Sequence, residues 1–136
     1  MHLLMKLIRI PPSYLLVGVL LGATTFASDG KKVSFGRDVL PILSDRCFSC
    51  HGPDSHDRKA KLRLDQADGP HGAYRTHEDV TAVKPGSLED SELWYRITTD
   101  DPDDFMPPEN AHKKPLNKEE QSVIKQWIED GAPYEL

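Results

Sequence analysis

The sequence predicts an all-α fold of three to four short helices joined by long irregular loops. Apolar residues recur at helical spacing in the segments 35–46, 88–98 and 117–129, and no stretch alternates apolar and polar residues as a half-buried strand would. The connections between those segments, 52–85 and 100–115, are polar and broken by Gly, Pro, Asp and His. No internal repeat is visible. A chain of 136 residues allows one domain.

The first 27 residues stand apart from that domain. Lys6 and Arg9 form a basic start, 14–23 (YLLVGVLLGA) an apolar middle, and Thr25-Phe26-Ala27 ends on the small residue a signal peptidase accepts. A retained anchor would need about 20 predominantly apolar residues, and Pro11-Pro12 stops the apolar run from extending backwards. The expectation is a secretory signal peptide over 1–27, cleaved after Ala27, and a single domain over 28–136 in the periplasm or otherwise exported, with no stable membrane span once the leader is gone. Without the leader the apolar share falls from 38 % to about 31 %, and the net charge moves from −5 to about −7. That composition is thin for a self-sufficient core, so a cofactor or staple is expected to supplement it. The acidic balance and the absence of a basic run exclude phosphate-backbone binding of nucleic acid and favour a basic partner.

The first helical segment carries Phe35, Val39, Ile42 and Leu43 on one face. With Asp38 as N-cap, Pro41 falls in the first turn, where its missing N–H costs nothing; with Ser34 as cap, the helix must kink at Pro41. The loop 52–85 holds one short extended piece at 61–64. A loop of that length suggests a functional segment or one wrapped around something. Ser87 and Asp90 read as a capping box for a helix of about Leu88 to Thr98 with Leu93, Trp94 and Ile97 buried. The last helix begins at Asn117 with Glu120, turns Val123, Ile124, Trp127 and Ile128 inward, and ends at Gly131.

The chemistry concentrates in Cys47-Phe48-Ser49-Cys50-His51. C-x-x-C-H is the attachment signature for c-type haem: two sulfurs about one helical turn apart reach the two vinyl groups of one macrocycle, and the adjoining imidazole binds its iron. A thioredoxin-like pair would sit in a βαβ setting that the sequence lacks. A zinc site built on Cys47, Cys50, His51 and His56 would want a second close-spaced ligand pair. Phe48 and Ser49 read as spacers.

Met106 is the only methionine left after the leader, and the prolines at 107 and 108 bar a helix there. An extended strap would present its sulfur across the haem face as the sixth ligand; His56, His71, His77 and His112 are the alternatives, and an open sixth position is another. Arg63, Trp94 and Tyr95 are candidates for hydrogen bonds to haem propionates, although a packed Trp94 and a solvated Arg63 are the ordinary readings. Asp100, Asp101, Asp103 and Asp104 precede Met106 and would lie at the haem-edge rim, steering a basic partner, unless they form a solvated turn.

Several motifs in order resemble the planctomycete-type cytochrome c domain, a branch of the class I cytochrome c fold: DVLPIL from Asp38, CFSCHGP from Cys47, Leu62-Arg63-Leu64-Asp65, Pro85-Gly86 with Ser91-x-Leu93, Met106-Pro107-Pro108, and Trp127-Ile128-x-x-Gly131-Ala132. The resemblance covers roughly 33–134. It implies a cytochrome c-like arrangement in which short helices wrap one covalent haem c, the helix before Cys47 crosses the C-terminal helix, and Met106 closes the crevice. The expected function is electron transfer, not enzymatic conversion, by a monohaem cytochrome whose iron is held by His51 and Met106 and whose redox partner presents a basic docking surface. A haem sensor or peroxide-handling protein with a displaceable sixth ligand is the alternative, as is a haem-stabilised binding module of a larger exported complex.

Overall fold

The structure, a computed structural model, describes residues 32–136. The expected leader, 1–27, lies outside them. A π-helical turn over Phe35–Val39 leads into α1, Leu40–Arg46, and α2, Phe48–His51. A two-residue antiparallel pair follows, β1 Thr76–His77 with β2 Val80–Thr81, in the register Thr76 to Thr81 and His77 to Val80. Then come α3, Glu92–Thr98, a 3₁₀ turn at Glu109–Ala111, and α4, Lys118–Glu129. The fold is mostly helical, as the periodicity predicts.

Neither expected cap forms: Val39 stands at the N-cap of α1 in place of Asp38, and Ser34, at the N-cap of the π-helical turn, makes no side-chain cap bond. The chain turns from Ser34, whose carbonyl accepts from Asp38 N at 2.9 Å and Val39 N at 3.4 Å, while the Asp38 carboxylate accepts the Ser34 N–H at 2.9 Å. Pro41 then sits in the first turn of α1. A proline cannot donate to the carbonyl four residues back and its ring crowds that carbonyl; the wider π turn ahead of it accommodates the mismatch without breaking the segment.

Helix α4 forms as predicted. Asn117 accepts from Glu120 N at 2.8 Å, Glu120 accepts from Asn117 N at 2.9 Å, and Gly131 takes a positive φ just past the end. This reciprocal cap satisfies two of the donors a helix start leaves open. Ile124, Trp127 and Ile128 are buried, and the π-helical turn packs against them. The Phe35 ring centroid lies 5.8 Å from that of Trp127 and 4.4 Å from that of Tyr134, which also meets Trp127 and Tyr74 edge-on. The polar ends of these rings all find carbonyls: Trp127 Nε1 donates to Pro133 at 2.9 Å, the Tyr134 hydroxyl to Leu64 at 3.2 Å, and the Tyr74 hydroxyl to Ala132. Each large ring buried in this way contributes about 1.5–3 kcal/mol.

Two expectations are corrected. Helix α3 starts at Glu92, not near Leu88, because the Ser87–Asp90 pair closes a turn ahead of it and the buried Ser91 hydroxyl reaches the Ser87 and Lys84 carbonyls instead of capping the helix. Leu93 and Ile97 are buried, with Trp94 only partly so. The loop 52–85 also contains the small hairpin, which is too short and too exposed to leave an alternating pattern.

Candidate functional site

Helix α1 delivers the attachment motif. Cys47 N still donates to Leu43 O at 2.8 Å, but its φ of −121° ends the helix, and α2 restarts with Cys50 N at 3.0 Å and His51 N at 2.8 Å from Cys47 O. One turn therefore carries Cys47, Cys50 and His51, and all three line one cavity of about 570 Å³, within the range of small-molecule sites. Both cysteines are free thiols. Ser49 lines the cavity too, while Phe48 packs partly buried against the core. The following chain is tied back to the motif by Lys59 N to Cys50 O at 2.7 Å and Leu64 N to His51 O at 2.8 Å.

Met106 reaches the same cavity from the loop that follows α3. Its N–H donates to Arg96 O of α3 at 2.8 Å. The Arg96 guanidinium in turn contacts Glu92 at 2.8 Å, the Asp104 carboxylate at 3.2 Å and the Asp104 carbonyl at 3.1 Å, and the Tyr95 hydroxyl donates to Asp104 at 3.0 Å. Pro107, buried, and Pro108 follow Met106 along the cavity wall. Part of the acidic run is thus structural: Asp104 anchors Arg96, and Asp101 closes the turn by accepting Asp103 N at 3.0 Å and Phe105 N at 2.9 Å. None of the four aspartates lines the cavity.

The electrostatics favour neutral donors at the motif. Burial pushes the Cys47 thiol up to about 12 against the pull of Arg46. A thiol held neutral is a poor redox nucleophile, which counts against the thioredoxin-like reading. Burial, aided by Arg96 and opposed by the Lys59 backbone, lowers the His51 pKa and keeps the imidazole neutral, the form that binds a metal. Among the described residues no group of three or more His, Cys, Asp or Glu is placed to hold a metal ion, which disfavours the zinc site; His56 is exposed and pairs with Asp57 at 2.8 Å.

The other candidates divide. His71 and His77 line the cavity, and His56 and His112 do not. Arg63, Trp94 and Tyr95 are also outside it: Arg63 is forked onto Asp65, Trp94 packs against the core, and Tyr95 serves Asp104. Sequence reasoning missed Arg46, Arg75 and Arg96, which line the cavity together with Lys59 and Lys61 against only two carboxylates, Glu78 and Glu92. A basic cavity in a chain of net charge −5 is a local inversion that no run of sequence displays.

A C-x-x-C-H turn on the wall of a cavity is the arrangement by which c-type cytochromes attach haem. Residues 47–110 match the family model of Planctomycete cytochrome C, a family that implies a covalent haem c. No curated protein and no solved structure matches the chain. The residues present fit such a group. Three buried side-chain nitrogens among the described residues have no hydrogen-bond partner, Arg46 Nε, His51 Nδ1 and His71 Nδ1, and all three belong to residues lining this cavity. Orphaned buried polar atoms are costly and rare, and three on one cavity are what a site built for a polar-edged ligand leaves behind.

Proposed function

We propose that this chain is an exported monohaem c-type cytochrome that transfers electrons, with Cys47 and Cys50 as the thioether anchors and His51 and Met106 as the axial ligands. The observation that carries this reading is the convergence of Cys47, Cys50, His51 and Met106, the last far along the chain, on one cavity. When bound, the haem iron supplies a one-electron couple. The chain's part is to hold it: the low pKa of His51 offers a free nitrogen, the Arg96–Asp104 pair fixes the backbone that presents Met106, and a thioether in that position favours the reduced form and raises the potential. Leu62, Leu64, Leu93, Ile97 and Pro107 line the cavity with apolar surface that excludes water.

Export rests on the sequence of 1–27. Among the described residues no helix is long and apolar enough to cross a membrane. The negative charge of the chain favours a redox partner with a basic docking surface.

The near-infrared sulfur-to-iron band of the ferric protein tests the ligation. It is expected in the wild type and absent in Met106→Ala, with the haem still covalently held. Absence of that band in the wild type together with rapid carbon monoxide binding to the reduced form would overturn the carrier and point to a sensor or peroxide-handling protein.

A further inference from the structure

We infer that His71 and Arg75 form the seat for one carboxylate of the bound tetrapyrrole, a haem propionate. The inference rests on the haem reading above and goes beyond it by assigning the anionic edge of the ligand. Both residues line the cavity. His71 Nδ1 is buried without a partner. Arg75 is drawn back beside it, because its Nη1 donates to Pro70 O at 2.6 Å. Among the described residues Arg75 makes no ion pair, whereas Arg46 and Arg96, the other arginines of the cavity, each pair with two carboxylates. In a chain with 22 acidic residues, a cavity-lining arginine without one is reserved for another anion.

The seat is held by backbone. Arg63 N donates to His71 O at 2.7 Å, Gly72 N to Gly69 O at 3.2 Å and Arg75 N to Gly72 O at 3.1 Å. A Cβ at Gly72 would stand 2.3 Å from Asp68 O and 2.4 Å from Ala67 O, so the turn closes only on glycine. Because the adjacent residues Arg63 and Leu64 bond to His71 and His51 respectively, the two histidines share one wall. That placement suits His71 to the ligand's edge and not to the axial position opposite His51. Lys59 and Lys61 add positive charge to the same cavity, and Glu78 at the hairpin tip and Glu92 of α3 are the carboxylates that line it.

A carboxylate that loses a donor or a cation places more unscreened negative charge near the iron and favours the ferric state. In the full-length holoprotein, His71→Phe and Arg75→Leu are each expected to lower the midpoint potential, shifting the ferrous-to-ferric ratio at a fixed electrode potential about tenfold, which is 59 mV for a one-electron couple. Arg75→Lys should recover most of the shift. The double variant should shift less than the sum of the two, because both act on one group. Unchanged potentials, or a fully additive double variant, with haem attached, would overturn the seat while leaving the cytochrome reading intact. A lowered melting temperature at an unchanged potential counts as structural and equally overturns it. Should His71→Phe fail to fold, Arg75, exposed and outside the core, carries the test. A wild type without covalent haem would sink the cytochrome reading first, and is told apart by a haem stain on a denaturing gel.

Discussion

On one side of the domain, the π-helical turn, α1 and α4 enclose Phe35, Val39, Leu43, Ile124 and Trp127 at 2 % exposure or less, and the Trp127, Tyr74 and Tyr134 polar groups end on backbone carbonyls. On the other, the wall formed by the motif turn and the loop 52–85 carries buried nitrogens that end on nothing. The rings of the clasp are satisfied by the chain itself, whereas His51 and His71 on the cavity wall, and Arg46 where α1 meets it, each keep a buried nitrogen without a partner. Burial leans the same way, since six of the thirteen core residues lie on the clasp elements and only Leu64, Ala73 and Val83 come from the long loop. This is where the thin apolar composition is felt.

Removing the ligand should separate the two regions most strongly. With Cys47→Ala and Cys50→Ala together, no haem survives a denaturing gel, and amide hydrogen exchange should show the 52–85 loop and the 100–115 strap fully unprotected. Any residual protection should lie in α1 and α4. A native-like, uniformly protected apo form would contradict the division. Trp127→Ala attacks the clasp instead and should cost about 3–5 kcal/mol in denaturant unfolding of the holoprotein, because a fully buried indole leaves a cavity its neighbours cannot fill.

The smallest expected effect concerns the boundary between them. The Arg63 hydrogen bond holds the Asp65 carboxyl below its ordinary value. A carboxylate with a depressed folded pKa contributes stability that is present above its unfolded value of about 3.9 and is lost as the pH falls through the folded one. Arg63→Met should therefore lower stability by about 1 kcal/mol or less at pH 7, the pair being partly exposed, and should flatten the decline on the acid side of pH 4 in a series of thermal melts. A decline as steep as the wild type's would mean that other groups, such as Glu120, carry it. Glu120 is itself held low by the Asn117 amide and Arg46 against the effect of burial.

The clasp was largely legible in sequence. Asn117 with Glu120 and the spacing of Ile124, Trp127 and Ile128 depend on neighbours within a turn or two, so local pattern contains them. Cys47, Cys50 and His51 were legible for the same reason. Met106 was legible only through its isolation, and its shared cavity with His51 depends on the Met106–Arg96 bond, a tertiary fact. Of the propionate candidates, Trp94 packs against the core, its ordinary reading, and Arg63 is taken by Asp65 two residues on, whereas Arg75, in an unpromising loop, makes no ion pair among the described residues and donates to the Pro70 carbonyl. The start expected for α3 was too early because the Ser91 hydroxyl turns back to the Ser87 and Lys84 carbonyls, bonds that a capping pattern does not reveal.

The contact between Phe35 and Tyr134 has a kinetic consequence. It joins residues from opposite ends of the described segment, and the Gly36 N–H donates to Glu135 O at 3.2 Å beside it. Forming the clasp therefore closes almost the whole domain into a loop, and folds dominated by such distant contacts form slowly. The entropy of closing a loop grows only with the logarithm of its length, about 0.6 kcal/mol per doubling. A few extra residues at the exposed segment 53–57 would thus cost that contact well under about 0.6 kcal/mol, which makes this segment a natural place for the domain to vary in size.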